Sequence, residues 1–274
     1  MAVARSPSRV RRMVTRALQT VFVIAIVAAL LFPIYCIVQM CVGGYKSIWD
    51  PLISEFTLDS FIAMGGRQWA TGFRNSVIIS LANAAFCVLI AIPAAYMFTR
   101  VNFRFDNHLF FFTIMQRMLP PGAFIIPVFM IYTGIGLYDT LPGVILAHSI
   151  FNLPLAVWIL HGFMKDIPTT VDEAAFVDGY SVWGFWRRVF LPLMMPAIGV
   201  TAFFLWMFSW TELILANAVT LLRAYPMTVN LLAFSGAQAA AAGVISIIPG
   251  LIMLFFARRY IARGFLLGGR PGGV

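Results

Sequence analysis

A chain of 274 residues in which 61% are hydrophobic and 11% charged, with a mean hydropathy of +0.91, holds less than half the charge of a soluble domain, where roughly a quarter of residues are charged, so the bilayer is its solvent. Nineteen Lys and Arg against ten Asp and Glu give a net charge of +9. The aromatic residues, however, lie inside apolar runs rather than between the basic ones, which argues against nucleic-acid binding and leaves membrane topology as what the basic excess serves.

Crossing a bilayer takes roughly 20 apolar residues per helix, and six runs qualify, at 17–42, 77–98, 109–132, 141–163, 193–216 and 239–257. The expected fold class is an all-α integral membrane protein of six transmembrane helices. Arg5, Arg9, Arg11, Arg12 and Arg16 precede the first run as in a signal peptide, but the run is too long for an ordinary h-region and lacks a small-residue cleavage site. It is therefore read as a retained first helix behind a basic segment, 1–16. Cys36 follows Phe-Pro-Ile-Tyr, unlike a lipoprotein acceptor, and with Cys41 and Cys87 it lies in apolar sequence without metal-ligand spacing, so all three read as packing residues.

The transmembrane domain is expected over 17–267, with its largest outer segment at 43–72 and a flexible tail at 268–274. With the N-terminus inside, the inner face also gathers Arg100, Arg104, Lys165, Arg187, Arg188, Arg258, Arg259, Arg263 and Arg270, and the outer face keeps Lys46, Arg67, Arg74 and Arg223. The positive-inside rule then places both termini in the cytoplasm. In the third run Gln116 and Arg117 precede Leu119-Pro-Pro-Gly122, where two prolines must interrupt the helical hydrogen-bond ladder, as happens where backbone lines a cavity or is covered by protein.

Residues 166–192, between the fourth and fifth runs, are too polar to cross and read as helix, sharp turn, helix. Thr170 is placed as N-cap with Glu173 at the third helical position, a capping box, and Asp172 and Glu173 suit the positive helix end. Gly179 offers the left-handed backbone that closes a helix. Ser181 then caps a second short helix running to Phe190, ahead of a reversal at Pro192. The first helix is too short to be stable alone. Ala174 and Ala175 would let another surface approach closely, and Phe176, Tyr180, Trp183 and Phe185 would anchor it. Local physics leaves two readings open, a docking element for a second protein or an amphipathic hairpin on the membrane surface.

The same stretch resembles the EAA loop of ABC importer permeases, whose Glu-Ala-Ala, following Gly and closing Leu-Pro correspond here to Glu173, Ala174, Ala175, Gly179, Leu191 and Pro192. Further likeness to the carbohydrate-uptake branch, close to the smaller permease of maltose-type importers, lies in Arg74-Asn75-Ser76, Ala94-Ala95-Tyr96, Gly136-Leu-Tyr-Asp-Thr140, Ile167-Pro168 and Ser209-Trp210. The chain departs from the pattern at Trp210-Thr-Glu212, where an Asn-Glu pairing is more usual, and in its glycine-rich tail. The resemblance implies the type I importer permease fold and a bacterial or archaeal inner-membrane location. It implies a complex with a second homologous permease chain, two ATP-binding subunits and an external substrate-binding protein. This chain would then have no catalysis of its own and bind no cofactor, ATP and Mg residing in the partner subunits. The loop would couple through Thr170, Glu173, Ala174, Ala175, Asp178, Gly179, Leu191 and Pro192, and the cargo would be a sugar, polyol or related solute.

Asn75, Gln116, Arg117, Asn152, Trp210 and Glu212 are the candidates for a translocation pathway. Glu212, an acid inside a run, either lines the cavity or bonds a neighbouring helix or outer loop. Asn75, Asn152, Asn217 and Asn230 either meet sugar hydroxyls or join helices, and Trp206 and Trp210 either stack on a sugar or pack. His108, His148 and His161 lack metal-site spacing, His148-Ser149 lacks the glycines of a nucleophile elbow, and Gly43-Gly-Tyr-Lys-Ser47 lacks the full phosphate-loop frame. An ion-coupled secondary transporter is the alternative; it would be expected to carry a chain of intramembrane acids or an inverted repeat. A membrane enzyme would need carboxylates and histidines clustered on one face, which the sequence does not offer.

Overall fold

The computed structural model describes residues 9–42, 56–64 and 66–268, and every regular element among them is helical. The stretch at 43–47, part of the expected outer segment, the first eight residues of the basic segment and the tail beyond Gly268 lie outside the described residues. The contacts divide the chain into two compact units, 1–65 with 234–246 and 66–233 with 247–274.

In the first unit α1 (Arg9–Val42) is a single 34-residue helix that begins upstream of its apolar run. A backbone bond from the Thr57 N–H to the Val42 carbonyl, 2.9 Å, brings the chain back to it ahead of α2 (Asp59–Met64). The last helix, α12 (Gly236–Gly268), starts here and continues into the second unit.

The second unit is built on α3 (Arg67–Arg100), which packs along α6 (Leu141–Lys165) and α9 (Leu191–Thr211). Close packing follows from small side chains on one stripe of α3, with Ala84, Cys87, Val88, Ala91 and Ala95 all buried at helical spacing. The third run is bent. Pro120 and Pro121 donate no backbone bond, and Leu119, held extended ahead of them (ψ 140), ends α4 (Asp106–Met118). A 3-10 turn (Pro121–Phe124) leads into α5 (Ile125–Gly134), and the two segments meet at 97°. By length and composition five described helices can cross a membrane, or up to six if the bent pair counts as one span.

The fifth span differs from expectation at both ends. It begins at Val182, because α8 (Val182–Phe185) runs through a π-helical turn (Trp186–Phe190) directly into α9, so the chain does not reverse at Pro192. Proline lacks an N–H and crowds the carbonyl four residues back; the wider π turn, with Leu191 N–H bonding five residues back to Trp186, absorbs both. The span ends at Thr211. Glu212, in extended conformation, separates it from α10 (Ile214–Val219), so the expected continuation to residue 216 is a separate short helix. Two further short helices complete the unit, α7 (Thr170–Val177) after α6 and α11 (Met227–Leu231) before α12.

Candidate functional site

The polar loop folds as helix, turn, helix, with the turn at Gly179 where the sequence places it and no second reversal at Pro192. Gly179 adopts φ +82 and ends α7, and the Ser181 side chain accepts the Gly184 N–H at 3.2 Å to start α8, both as the sequence indicates. The capping box at Thr170 does not form. Thr170 is the first helical residue, Thr169 occupies the N-cap with helical torsions and no side-chain cap bond, and its carbonyl accepts the Glu173 N–H. A Pro168 carbonyl bond to Val171 N–H shows why, since the turn after Ile167-Pro168 already supplies the first acceptors.

Alternate sides of α7 have different fates. Thr170, Glu173, Ala174 and Asp178 are exposed, with Phe176 46% and Val177 86% open, whereas Ala175 is buried at 4% and so presents no surface to a partner. Phe185, expected as an outward anchor, is also interior and meets Tyr96, Phe176 and Phe190. Trp183 and Tyr180 remain open and, with Asp178, Gly179, Ser181, Gly184, Arg187 and Arg188, line a cleft of about 820 Å³ beside the turn. Leu191 is half-buried and Pro192 exposed within the continuous fifth span.

Asp172 turns inward, contrary to a purely dipolar role. Its Oδ2 accepts from Arg100 Nε at 2.8 Å and from the Tyr96 hydroxyl at 3.2 Å, and the Arg100 guanidinium also donates to the Ile167 carbonyl at 2.9 Å. Sequence reasoning assigned Arg100 to loop charge alone. The signal available was its position two residues after Met97-Phe98 at the end of an apolar run, opposite a loop carrying an acid.

A polar seam joins α3, α6 and α9 within the bundle. Asn83 Nδ2 donates to the Ile145 carbonyl and Ser149 hydroxyl, both at 2.9 Å; Asn152 Nδ2 donates to Asn83 Oδ1 at 2.6 Å and to the Leu205 carbonyl at 3.3 Å. Asn152 thus makes helix–helix bonds. His148 places Nδ1 2.7 Å from the Ser209 hydroxyl and Nε2 3.2 Å from Glu212 Oε2. Glu212 also accepts the Leu215 and Ala216 N–H groups, both at 2.9 Å, and so caps α10. Glu212 therefore bonds a neighbouring helix, α6, as well as the start of α10. The spacing of His148 and Asn152, four apart on one helix face, was the overlooked signal.

The remaining pathway candidates are not gathered into one site. Asn75 donates to the Arg223 and Tyr225 carbonyls at 2.9 and 3.1 Å. Gln116 is half-buried, and Arg117 lies over the Phe208 ring, 4.5 Å from its centroid. Trp210 is buried, stacked on Trp206 at 5.3 Å and edge-on to Phe73. Asn217 is exposed, and Asn230 is buried against the Gln68 carbonyl.

At the opposite end of α6 from the loop, Asp139 receives N–H bonds from Leu221, Leu222, Arg223 and Ala224 at 2.9–3.1 Å. Partial burial pushes its carboxyl up, but these four donors outweigh that and hold it below the usual carboxylate range.

Long apolar helices, joined inside by side-chain amides and interrupted by a stapled polar helix-turn-helix, define a multi-pass helical membrane protein. The chain belongs to the family of binding-protein-dependent transport system inner membrane components, whose model matches residues 87–266. It is 30% identical over 240 residues to the osmoprotective compounds uptake permease protein GgtD of Synechocystis sp., spanning 84% of this chain and 80% of that one. It is 28% identical over 259 residues to the trehalose transport system permease protein SugB of Mycobacterium tuberculosis, spanning 90% and 94%. Its fold matches a chain in the crystal structure of a bacterial ABC transporter involved in the import of the acidic polysaccharide alginate, with a TM-score of 0.75, 19% identity, and 94% of this chain and 99% of that one covered. The chain is a permease component of an ABC importer, resident in the inner membrane.

Proposed function

We propose that this permease is one half of a translocation pore for a sugar, polyol or related solute, and that its loop at 166–192 receives the movement of a separate ATP-hydrolysing subunit. One observation carries the proposal: α7, eight residues long, is bolted to the bundle on its Asp172 and Ala175 side and bare on the side of Glu173, Ala174 and Val177. A helix of that length is marginal in water by itself, so the bolted side supplies its order and the bare side is free to seat in a partner. Thr170, Asp178 and Gly179 complete that surface; Leu191 and Pro192 tie it into the fifth span. ATP and Mg bind the partner, and both termini lie on the same, cytoplasmic, side as the loop.

Shifting a two-state carrier from 1:99 to 99:1 takes roughly 5.5 kcal/mol of differential binding. A rigid loop delivers that to the spans where a slack one would dissipate it. The relative named for trehalose transport supports a sugar cargo, and the family's description as binding-protein-dependent supports its selection by an external binding protein. The test is to purify the chain with its copurifying subunits and to crosslink from Ala174→Cys. The proposal expects a crosslink to an ATP-hydrolysing subunit, and a sugar or polyol that both raises the melting point of the external protein and stimulates ATP turnover. Labelling of that cysteine from outside the cell, or uptake by this chain alone on an ion gradient, would replace the proposal.

A further inference from the structure

The covalent path out of the loop leads to α6 at one end and to α9 at the other, yet the loop's tightest side-chain bonds are to neither. They are to the last turn of α3. Arg100, its final residue, holds Asp172 of α7 and, with the same guanidinium, the Ile167 carbonyl in the strap between α6 and α7. Tyr96, one turn earlier, bonds Asp172 and packs its ring against Phe185, Trp186 and Phe190 at 6.3, 5.0 and 5.1 Å. One helix end therefore grips both arms of the helix-turn-helix.

The Arg100 and Asp172 side chains are 8% and 10% exposed, and desolvating two charges cancels much of their attraction. Net stability is a weak reason for such a pair. What it does provide is a fixed separation and direction between two helices, because a planar guanidinium holding two acceptors leaves little rotational slack. Asp172 Oδ1 is buried without a hydrogen-bond partner among the described residues, so the hydrogen bonds that hold the carboxylate run through Oδ2, from Arg100 and the Tyr96 hydroxyl.

From this geometry we infer that Arg100 and Asp172, oriented by Tyr96, are the strut through which displacement of α7 reaches α3. A partner pushing α7 swings α3, which carries α6 and α9 through the packed core, instead of flexing the strap at Pro168. The inference rests on the loop being the docking site for the ATP-hydrolysing subunit, and these are positioning residues, inward of the surface that subunit would touch.

The test uses the complete importer in proteoliposomes with Asp172→Asn, Arg100→Gln, the double variant and the swapped Asp172→Arg/Arg100→Asp. If the unmodified chain retains no ATP-hydrolysing subunit, the docking reading fails and the strut with it. Otherwise each single variant is expected to keep that subunit and its basal ATP turnover, while cargo moved per ATP falls about tenfold, within the range of inter-site couplings. The double variant is expected to be no worse than the worse single, and the swap to regain part of the loss. Unchanged cargo per ATP, losses that multiply in the double variant, or release of the ATP-hydrolysing subunit would each overturn the strut, the last by making the pair a support of the docking face. If Asp172→Asn fails to accumulate, Arg100→Lys, which keeps the charge but not the fork, is read for the same ratio, and an unchanged ratio overturns the inference.

Discussion

Replacing Asp139 with Ala removes an anion on which four consecutive N–H groups converge, from Leu221 to Ala224. Hydrogen bonds to a charged group are worth about 1.5–3 kcal/mol each when shielded, but Leu221, Leu222 and Arg223 are exposed, and water replaces much of what they lose. Taking about 0.5–1 kcal/mol per bond gives about 2–4 kcal/mol. Asp139 also sits at φ +54, a conformation Asp tolerates better than Ala, which adds about 1 kcal/mol. Asp139→Asn keeps the backbone and one acceptor oxygen and is expected to lose about half as much. Amide hydrogen exchange in lipid nanodiscs reads the effect directly: a local opening made easier by about 3 kcal/mol speeds exchange at 221–224 about a hundredfold. The carboxyl is held below its unfolded value near 4, so its contribution is complete above that value and is lost as pH falls through the lower folded value. After correction for intrinsic rates, protection is expected to be equal at pH 7 and 5 and to fall away below about pH 4. Unchanged exchange in Asp139→Ala, or protection lost between pH 7 and 5, would refute the reasoning.

Gly179→Val meets no atom within 4 Å of its new Cβ, so its penalty is the left-handed backbone alone, about 1–2 kcal/mol. The loop turn should loosen and ATP hydrolysis should proceed with reduced uptake, measured as cargo per ATP; full uptake would count against a rigid coupling turn. Glu212→Ala strips two backbone donors of α10 and the neighbour of His148, for a combined loss of about 2–3 kcal/mol. The melting midpoint in detergent should drop by several degrees and less in Glu212→Gln; equal melting of Glu212→Ala and the unmodified chain would return Glu212 to a cavity role.

Much of the fold was legible because the rules that set it are local. Hydropathy over about 20 residues picks the spans, two adjacent prolines break the third run whatever surrounds them, and Gly179 and Ser181 act on backbone groups within three residues. Span ends were read less well. Arg67, Gln68 and Lys165 extend helices beyond their apolar centres, since polar residues continue a helix once it has left the hydrocarbon. Pro192 misled for a related reason: a proline signals a missing N–H, but whether the chain turns or widens by one π turn depends on what packs beside it, here Phe190 buried under Tyr96.

The candidate site divides along the same line. From the residues alone came the bilayer as solvent, the polar interruption, its left-handed glycine and the family resemblance that the comparisons bear out. The direction in which Asp172 points, the burial of Ala175 and Phe185, and the engagement of Glu212 came only with tertiary structure. Arg100 and Asp172 are 72 residues apart, His148 and Ser209 61, and Asp139 and Ala224 85. A pairing over such separations exists only after helices have packed at a particular rotation about their axes. An apolar run on nearly every face, sufficient to choose lipid over water, says little about that rotation, which the seam of Asn83, Asn152 and Ser149 and the small-residue stripe of α3 decide.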